Sequence, residues 1–229
     1  MARLFCVLAF FICASAASAT SSNEPVYAAV ARRSRADGLT PESFRATYLS
    51  SETPVVITDA VQPEWPIAQW KSVADVEASL VGSGCAPSGA FLAGGVPSAT
   101  MQISEAGAVL QDDPSALVVV GDVCPGQSSA THGLYERPYF DSSPSELPTS
   151  ETLFVTSPNT SHRRGAEGHV DTECGCSWSL QLAGTKVWEL RSPLRQGQFY
   201  RTVVHPGEAI FWCSGWWHRT SASVVYTLQ

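Results

Sequence analysis

Short apolar runs separated by turn-forming residues dominate the second half of this chain and constrain its fold more than any other feature. The runs are rich in β-branched and aromatic side chains, and Gly or Pro stands between one run and the next. They cover residues 117–120, 153–156, 177–182, 186–190, 209–213 and 223–228. Helix signals occur only nearer the beginning. The sequence therefore predicts a mainly β fold of the barrel or jelly-roll kind with N-terminal helices.

The predicted N-terminal elements are two helices with a strand between them. Thr40 is a candidate N-cap with proline after it, so we expect a helix to begin there and to place Phe44 and Tyr48 on one face. Residues 54–58 form a β-branched run that predicts a buried strand. A second helix is expected to follow Pro66.

Composition sets the number of domains. The chain has 229 residues, 44% of them hydrophobic, which supplies one sizeable core but too little length for two ordinary domains. We expect that single domain to cover residues 40–229. Residues 20–39 are polar and lack an apolar period, which predicts a linker or loosely ordered leader. Inside the domain, residues 82–115 are rich in Gly, Ser, Ala and Pro, and only residues 101–103 suggest a strand there.

Residues 1–19 have the layout of a cleavable secretory signal: one basic residue, an apolar run and a small-residue ending. The apolar run is shorter than the roughly 20 residues that span a bilayer. No later segment is long and apolar enough either, so we expect no membrane span after cleavage. The N-glycosylation sequon at residues 159–161 agrees with a secretory route. The sequence thus predicts a protein of the ER lumen or a secreted one.

Cleavage of the signal would leave five cysteines in an oxidising compartment: Cys85, Cys124, Cys174, Cys176 and Cys213. An odd number implies at least one free thiol or a bond outside the chain. We interpret these cysteines as structural and leave their pairing open. The formal net charge is -7 and the basic residues are scattered, so no basic face is available to neutralise phosphates. Nucleic acid is not an expected partner.

Three residues form a candidate metal centre. His169 and Asp171 stand two positions apart, and side chains so spaced in an extended chain project to the same side. His218, which follows the predicted strand at 209–213, is the candidate third ligand. Two imidazoles and one carboxylate on one face of an octahedron are the ligands of non-haem Fe(II) oxygenases, and they leave three positions open. Taken alone, the His-x-Asp triplet is weak evidence for a metal site, because such triplets arise by chance.

Lys186 is the candidate anion-binding residue. It shares a predicted strand face with Trp188 and Leu190, where a lysine is costly unless its ammonium finds an anion. It could reach solvent or pair with a nearby acid such as Glu189. Alternatively, it could meet the distal carboxylate of 2-oxoglutarate.

Together these motifs resemble the core of the JmjC-domain, cupin-like oxygenases. The elements that carry the resemblance are residues 44–70, 169–171, 178, 184–188, 206–211 and 215–218. They cover most of residues 40–229 in order, whereas residues 82–150 match only loosely. The resemblance implies a double-stranded β-helix that binds Fe(II) through His169, Asp171 and His218 and holds 2-oxoglutarate with Lys186. O2 would be the second cosubstrate.

The resemblance also suggests Ser179 as a polar contact and Thr227 as a hydroxyl on the last strand, although both could equally be ordinary strand residues. It implies a dioxygenase that hydroxylates a protein or peptide side chain in the secretory pathway. The alternative is a catalytically weak or inactive binding or folding factor of the ER lumen. Ala166, where relatives commonly carry Thr or Ser, favours that alternative, as does the short segment between the histidines. Some relatives dimerise through C-terminal helices that this chain lacks, so a monomer is expected.

Overall fold

A computed structural model describes residues 25–85, 90–93, 103–113, 116–121, 123–124, 129–130, 132–138, 151–156, 167–171, 175–195, 197–222 and 225–228. The signal segment, the sequon and Ala166 lie outside these residues. The described elements are mainly β, with the helices nearer the N-terminus, as the sequence predicted.

Eight strands form the larger sheet. They are β2 (Ala31–Arg33), β3 (Val55–Ile57), β4 (Ala90–Ala93), β5 (Leu117–Val120), β6 (Leu153–Thr156), β7 (Cys176–Ala183), β10 (Ala209–Cys213) and β12 (Val225–Leu228). Their order across the sheet is β2-β3-β10-β7-β12-β6-β5-β4. The pair β2 and β3 is parallel, and all other neighbours are antiparallel.

Four strands form the smaller sheet. They are β1 (Tyr27–Ala29), β8 (Lys186–Arg191), β9 (Phe199–Val204) and β11 (Trp217–Ala222), in the order β1-β9-β8-β11. The first pair is parallel and the other two pairs are antiparallel. The described strands thus form two sheets and do not close into one barrel.

The helices lie before β5 in the chain. They are α1 (Pro41–Phe44), which continues as a π-helical turn (Arg45–Leu49), a 3-10 helix (Pro66–Gln69), α2 (Val73–Gly82) and α3 (Ile103–Asp112). The Thr40 side chain accepts a hydrogen bond from the backbone N–H of Ser43, so Thr40 caps α1 as predicted, and Phe44 and Tyr48 are both buried. Among the described helices, none is both long and apolar enough to cross a membrane.

The larger sheet separates two hydrophobic cores, and alternate residues of its central strands enter one core or the other. On β10, Phe211 joins the core under the helices, whereas Ile210 and Trp212 pack toward the smaller sheet. The strand predicted at 177–182 is therefore buried on both faces over most of its length, because helices cover one face and the smaller sheet lies on the other. Ser179 on β7 lies opposite Ile210 in the register, and its side chain is buried.

The leader expected at residues 20–39 differs from what the structure describes. Residues 27–33 contain β1 and β2, which extend the two sheets at their edges. Strands of three residues are too short to show a hydrophobic period, and partner strands supply their main-chain hydrogen bonds. Arg32 also forms an ion pair with the buried Glu208. The ordered fold therefore begins before Thr40.

Two other expectations need correction. The helix expected after Pro66 is a 3-10 turn followed by a separate α2, because Ser72 is extended and its side chain accepts the backbone N–H of Asp75 as a new N-cap. Ile103, placed in a possible strand, begins α3 instead. Its neighbours Ala106 and Leu110 are buried at helical spacing, a period that the surrounding small and polar residues obscured.

Two disulfides resolve part of the pairing that the sequence left open. One joins Cys85 to Cys124, and the other joins Cys176 to Cys213. Disulfides persist in oxidising compartments. They are therefore compatible with a secreted or lumenal protein.

Candidate metal centre

The side chains of His169, Asp171 and His218 converge at one end of the space between the two sheets. Nε2 of His169 lies 3.5 Å from Oδ1 of Asp171, and Nε2 of His218 lies 3.7 Å from the same oxygen. One potential ligand atom from each residue lies within 4.8 Å of the others. The structure thus brings together the three residues that the sequence singled out, although they come from separate parts of the chain.

A pair of backbone hydrogen bonds positions the two histidines. The N–H of His169 donates to the carbonyl of His218 at 3.0 Å, and the N–H of His218 donates to the carbonyl of His169 at 2.8 Å. This is an antiparallel bridge, in which directly opposed side chains project to the same side of the pair. The bridge adds the His169 segment to the edge of β11 and sets the imidazoles 4.3 Å apart, centroid to centroid.

Gly168 allows this segment to approach β11 closely. A Cβ atom at this position would lie 2.2 Å from Cζ2 of the Trp217 ring, far inside van der Waals contact. The absent side chain is therefore a requirement of packing, because the Trp217 ring occupies the space beside the backbone that leads into His169.

Hydrogen bonds at Nδ1 assign the tautomers of both imidazoles. Nδ1 of His169 lies 2.6 Å from the carbonyl oxygen of Glu167, and Nδ1 of His218 lies 3.1 Å from that of Trp216. A carbonyl oxygen only accepts, so each Nδ1 carries the proton and each neutral ring keeps a lone pair on Nε2. Both lone pairs then face the carboxylate of Asp171, an arrangement that a shared cation stabilises.

Trp212 holds the other oxygen of Asp171. Its indole N–H donates to Oδ2 at 2.9 Å, which leaves Oδ1 facing the two histidines. Hydrogen bonds of this kind orient a carboxylate ligand and select the oxygen that it offers to a metal. Local sequence patterns give no sign of this role for Trp212, because it depends on a contact with a residue 41 positions away.

The donor set fits a first-row divalent ion. Two neutral nitrogens and one carboxylate suit Fe(II) and related metals. Cis ligands with bonds of about 2.1 Å lie about 3 Å apart, so the observed separations need only small side-chain movements to close on an ion. His218 is 2% exposed, whereas the side chain of His169 is 46% exposed. An ion held here would be open toward solvent on the His169 side.

The electrostatic surroundings favour the neutral form of His218. Burial is the largest effect and lowers its pKa, and the charges of His169 and Lys186 act in the same direction. The Trp216 carbonyl and the Asp171 carboxylate oppose this change without cancelling it. Neutral imidazole is the protonation state that binds a metal.

Lys186 is buried in the same space between the sheets. It is 4% exposed, and its Nζ lies 5.0 Å from the ring centroid of Phe154 and 4.9 Å from that of Trp188. Glu189, the alternative partner, pairs instead with arginines on the outer face of the smaller sheet. No carboxylate pairs with Lys186 within the described ranges, and burial lowers its pKa to about 7. The ring of Trp188 lies between Lys186 and the metal centre, because its centroid is also 5.7 Å from that of the His218 ring.

The remaining candidate residues lie on the larger sheet. Ser179 is 1% exposed and belongs to the face of β7 that is directed toward the smaller sheet. Thr227 lies opposite Phe154 and Gln181 in the register of β12. Thr156 was not a predicted site residue. Its buried hydroxyl has no hydrogen-bond partner within the described part of the chain, and it shares a strand face with Phe154 beneath Lys186.

A second group of potential ligands contains Cys85, Cys124 and His132. The two cysteines form a disulfide, so their sulfurs are not thiolate ligands. Nδ1 of His132 lies 2.9 Å from the carbonyl oxygen of Ser83. These contacts give the group a structural role.

Comparison with protein-family models gives no match, and comparison with curated proteins gives none either. The fold and the site therefore define the class: a mainly β protein with a cluster of two histidines and one carboxylate between its sheets.

Proposed function

We propose that this chain is an Fe(II)- and 2-oxoglutarate-dependent oxygenase of the JmjC, cupin-like kind, built on a double-stranded β-helix. Its ligands are His169, Asp171 and His218, and Lys186 binds the distal carboxylate of 2-oxoglutarate. The proposed substrate is a side chain of a protein or peptide in the secretory pathway. The bound metal, with 2-oxoglutarate and O2, supplies the oxidising chemistry that hydroxylates a C–H bond.

One observation carries this proposal: two imidazole Nε2 atoms face a single carboxylate oxygen in the space that also contains a buried ammonium, which has no carboxylate partner among the residues that the structure describes. A metal centre alone would explain the first feature. The second calls for an anion, since an unpaired buried charge is strongly unfavourable. A dicarboxylate that reaches from the metal to Lys186 accounts for both.

The residues around the centre have distinct tasks. The Glu167 and Trp216 carbonyls keep each Nε2 unprotonated, and Trp212 keeps Oδ1 of Asp171 directed at the ion. Lys186 attracts and orients the cosubstrate, and the rings of Phe154 and Trp188 keep water away from its ammonium.

The buried hydroxyl of Thr156, for which the described ranges supply no hydrogen-bond partner, is a candidate second donor to the same carboxylate. The substrate would approach from the solvent side, where Val170 is 43% exposed beside His169.

The test is the visible charge-transfer absorption of the Fe(II) and 2-oxoglutarate chelate under anaerobic conditions. Wild-type protein should develop the band, and Asp171→Ala should not. Glu136→Ala is the control, because Glu136 is an exposed carboxylate that has no role at the centre. Lys186→Met should require at least tenfold more 2-oxoglutarate. A wild type without the band would contradict the proposal.

Release of succinate in air separates the two functions that the sequence left open. An oxygenase should produce succinate in a reaction that Asp171→Ala abolishes. A binding or folding factor should form the chelate without turnover, even with candidate peptide substrates present. That outcome would move the assignment to the inactive class while leaving the metal centre in place.

A further inference from the structure

We infer that the disulfide between Cys176 and Cys213 is a positioning element for the metal centre. This inference rests on the proposed function, because it assumes that His169, Asp171 and His218 bind a metal. It assigns a role to two cysteines that have no part in the chemistry itself.

Each of the two cysteines is separated by five positions in the sequence from one of the ligands. Cys176 is the first residue of β7 and follows Asp171 by five residues, while Cys213 is the last residue of β10 and precedes His218 by five. The two are direct partners in the antiparallel register. The disulfide therefore lies at the end of the β7–β10 ladder that is nearer in sequence to the ligands. β7 begins there after Asp171, and β10 ends there before His218.

Pairing between the strands nearly ends at this point. Beyond the cysteines, a backbone hydrogen bond from Ser214 to the carbonyl of Gly175, at 2.7 Å, is the contact that continues the ladder. Strand ends open more readily than strand centres because they have fewer neighbours. A covalent bond here limits that opening and shortens the path between Asp171 and His218, which reduces the entropy lost when the ligands meet.

Trp212 connects the disulfide to the geometry of Asp171. It directly precedes Cys213, and its indole N–H donates to Oδ2 of Asp171. An opening of this end of β10 would therefore move the donor that orients the carboxylate as well as the turn that leads to His218.

The second disulfide is an internal control for stability. The bond between Cys85 and Cys124 spans a sequence separation of 39, and the bond between Cys176 and Cys213 spans 37. Loop-closure entropy depends on the logarithm of loop length, so the two bonds should stabilise the fold to a similar degree. Cys85 follows α2 and Cys124 follows β5, and neither adjoins a ligand in the sequence.

The first experiment compares the double variants Cys176→Ala/Cys213→Ala and Cys85→Ala/Cys124→Ala. Mn²⁺ is the probe, since it binds nitrogen and oxygen ligands and has little affinity for thiols. The concentration of free Mn²⁺ is measured from its EPR signal. The protein carries no histidine tag, which would itself bind the ion. We expect both variants to melt at similarly lower temperatures. Only the first should bind Mn²⁺ more weakly, by about tenfold or more, as is typical when ligand positioning is lost.

Equal Mn²⁺ affinity in the two double variants would overturn the inference while leaving the metal centre intact. If wild-type protein binds no Mn²⁺ that depends on Asp171, the proposed function fails and the inference fails with it. The two failures are thus distinguishable in one set of titrations.

A second experiment uses the wild type alone and does not require the variants to fold. Thermodynamic linkage requires Mn²⁺ to favour the Cys176–Cys213 bond by the factor by which that bond favours Mn²⁺. In a glutathione buffer, two glutathione thiols become one glutathione disulfide as the protein disulfide takes up two electrons and two protons.

Quenching, alkylation and mass spectrometry then report each bond separately. We expect saturating Mn²⁺ to shift the reduction equilibrium of the Cys176–Cys213 bond by about tenfold and to leave the Cys85–Cys124 bond unchanged. No shift in the first bond, or an equal shift in both bonds, would overturn the inference.

Discussion

The indole N–H of Trp212 donates to Oδ2 of Asp171 at 2.9 Å and directs Oδ1 toward the two histidines. Trp212 is buried in the core between the sheets. The centroid of its ring lies 4.8 Å from that of the Trp188 ring and 5.2 Å from that of the His218 ring. A rigid aromatic side chain thus connects the hydrophobic core to the carboxylate. Packing of the core and geometry of the site depend on each other through this residue.

Trp212→Phe should weaken Mn²⁺ binding about tenfold, because Asp171 loses the hydrogen bond that selects its oxygen while most of the ring packing remains. Titration by EPR measures the effect. Trp216→Phe is the matched control: it also removes a buried indole N–H, which donates to the carbonyl of Glu52 rather than to a ligand. Equal Mn²⁺ affinity in the two variants would contradict an orienting role for Trp212.

Gly168→Ala should displace the segment that carries His169, because the new Cβ meets the ring of Trp217. Overpacking of this kind costs about 1–3 kcal/mol of unfolding free energy. We also expect weaker Mn²⁺ binding. The comparison variant is Gly82→Ala, at which a Cβ meets nothing within 4 Å. Trp217→Ala removes the obstacle, so adding Gly168→Ala to it should cost little. A full additional loss in that background would refute the steric explanation.

Lys186 should make stability depend on pH in a defined window. Its pKa is about 7 in the fold and near 10.5 in the unfolded chain, so between these values the unfolded state binds the extra proton. Stability therefore rises with pH across this window, by up to about 1.4 kcal/mol per pH unit, and the cost of burying the charge is complete below pH 7.

Urea unfolding of wild type and Lys186→Met from pH 6 to pH 9 measures this cost. The variant should be more stable at the acidic end, and its advantage should shrink as pH rises above 7. Lys71→Met, at the other lysine of the chain, which is exposed, should show no such trend. A constant difference between wild type and Lys186→Met would indicate that the ammonium has an anionic partner in the free protein.

Glu208→Ala should loosen the N-terminal strands. The buried Glu208 carboxylate pairs with Arg32 on β2 and accepts the backbone N–H of His205 at 2.8 Å. Removing a hydrogen-bonded charge of this kind lowers the free energy of unfolding by about 1–3 kcal/mol. Hydrogen exchange should show β2 losing protection first, while Glu64→Ala, at an exposed turn, leaves it unchanged. Unaltered protection at residues 31–33 in Glu208→Ala would contradict this anchoring role.

Local sequence signals predicted the elements whose formation depends on near neighbours. Thr40 and the following proline determine where α1 begins, and β-branched runs such as 117–120 form strands at the expected places. The strands β1 and β2 could not be predicted in this way, because three residues carry no period and their stability comes from pairing with distant strands.

The same division applies to the site. Spacing alone brought His169 and Asp171 into consideration together, and His218 entered through its position after a predicted strand. Tertiary structure decided the rest: the bridge between the histidines, the hydrogen bond from Trp212 and the burial of Lys186 away from Glu189. These features join residues far apart in the chain. Their energies depend on packing and dielectric surroundings that exist only after the two sheets have come together.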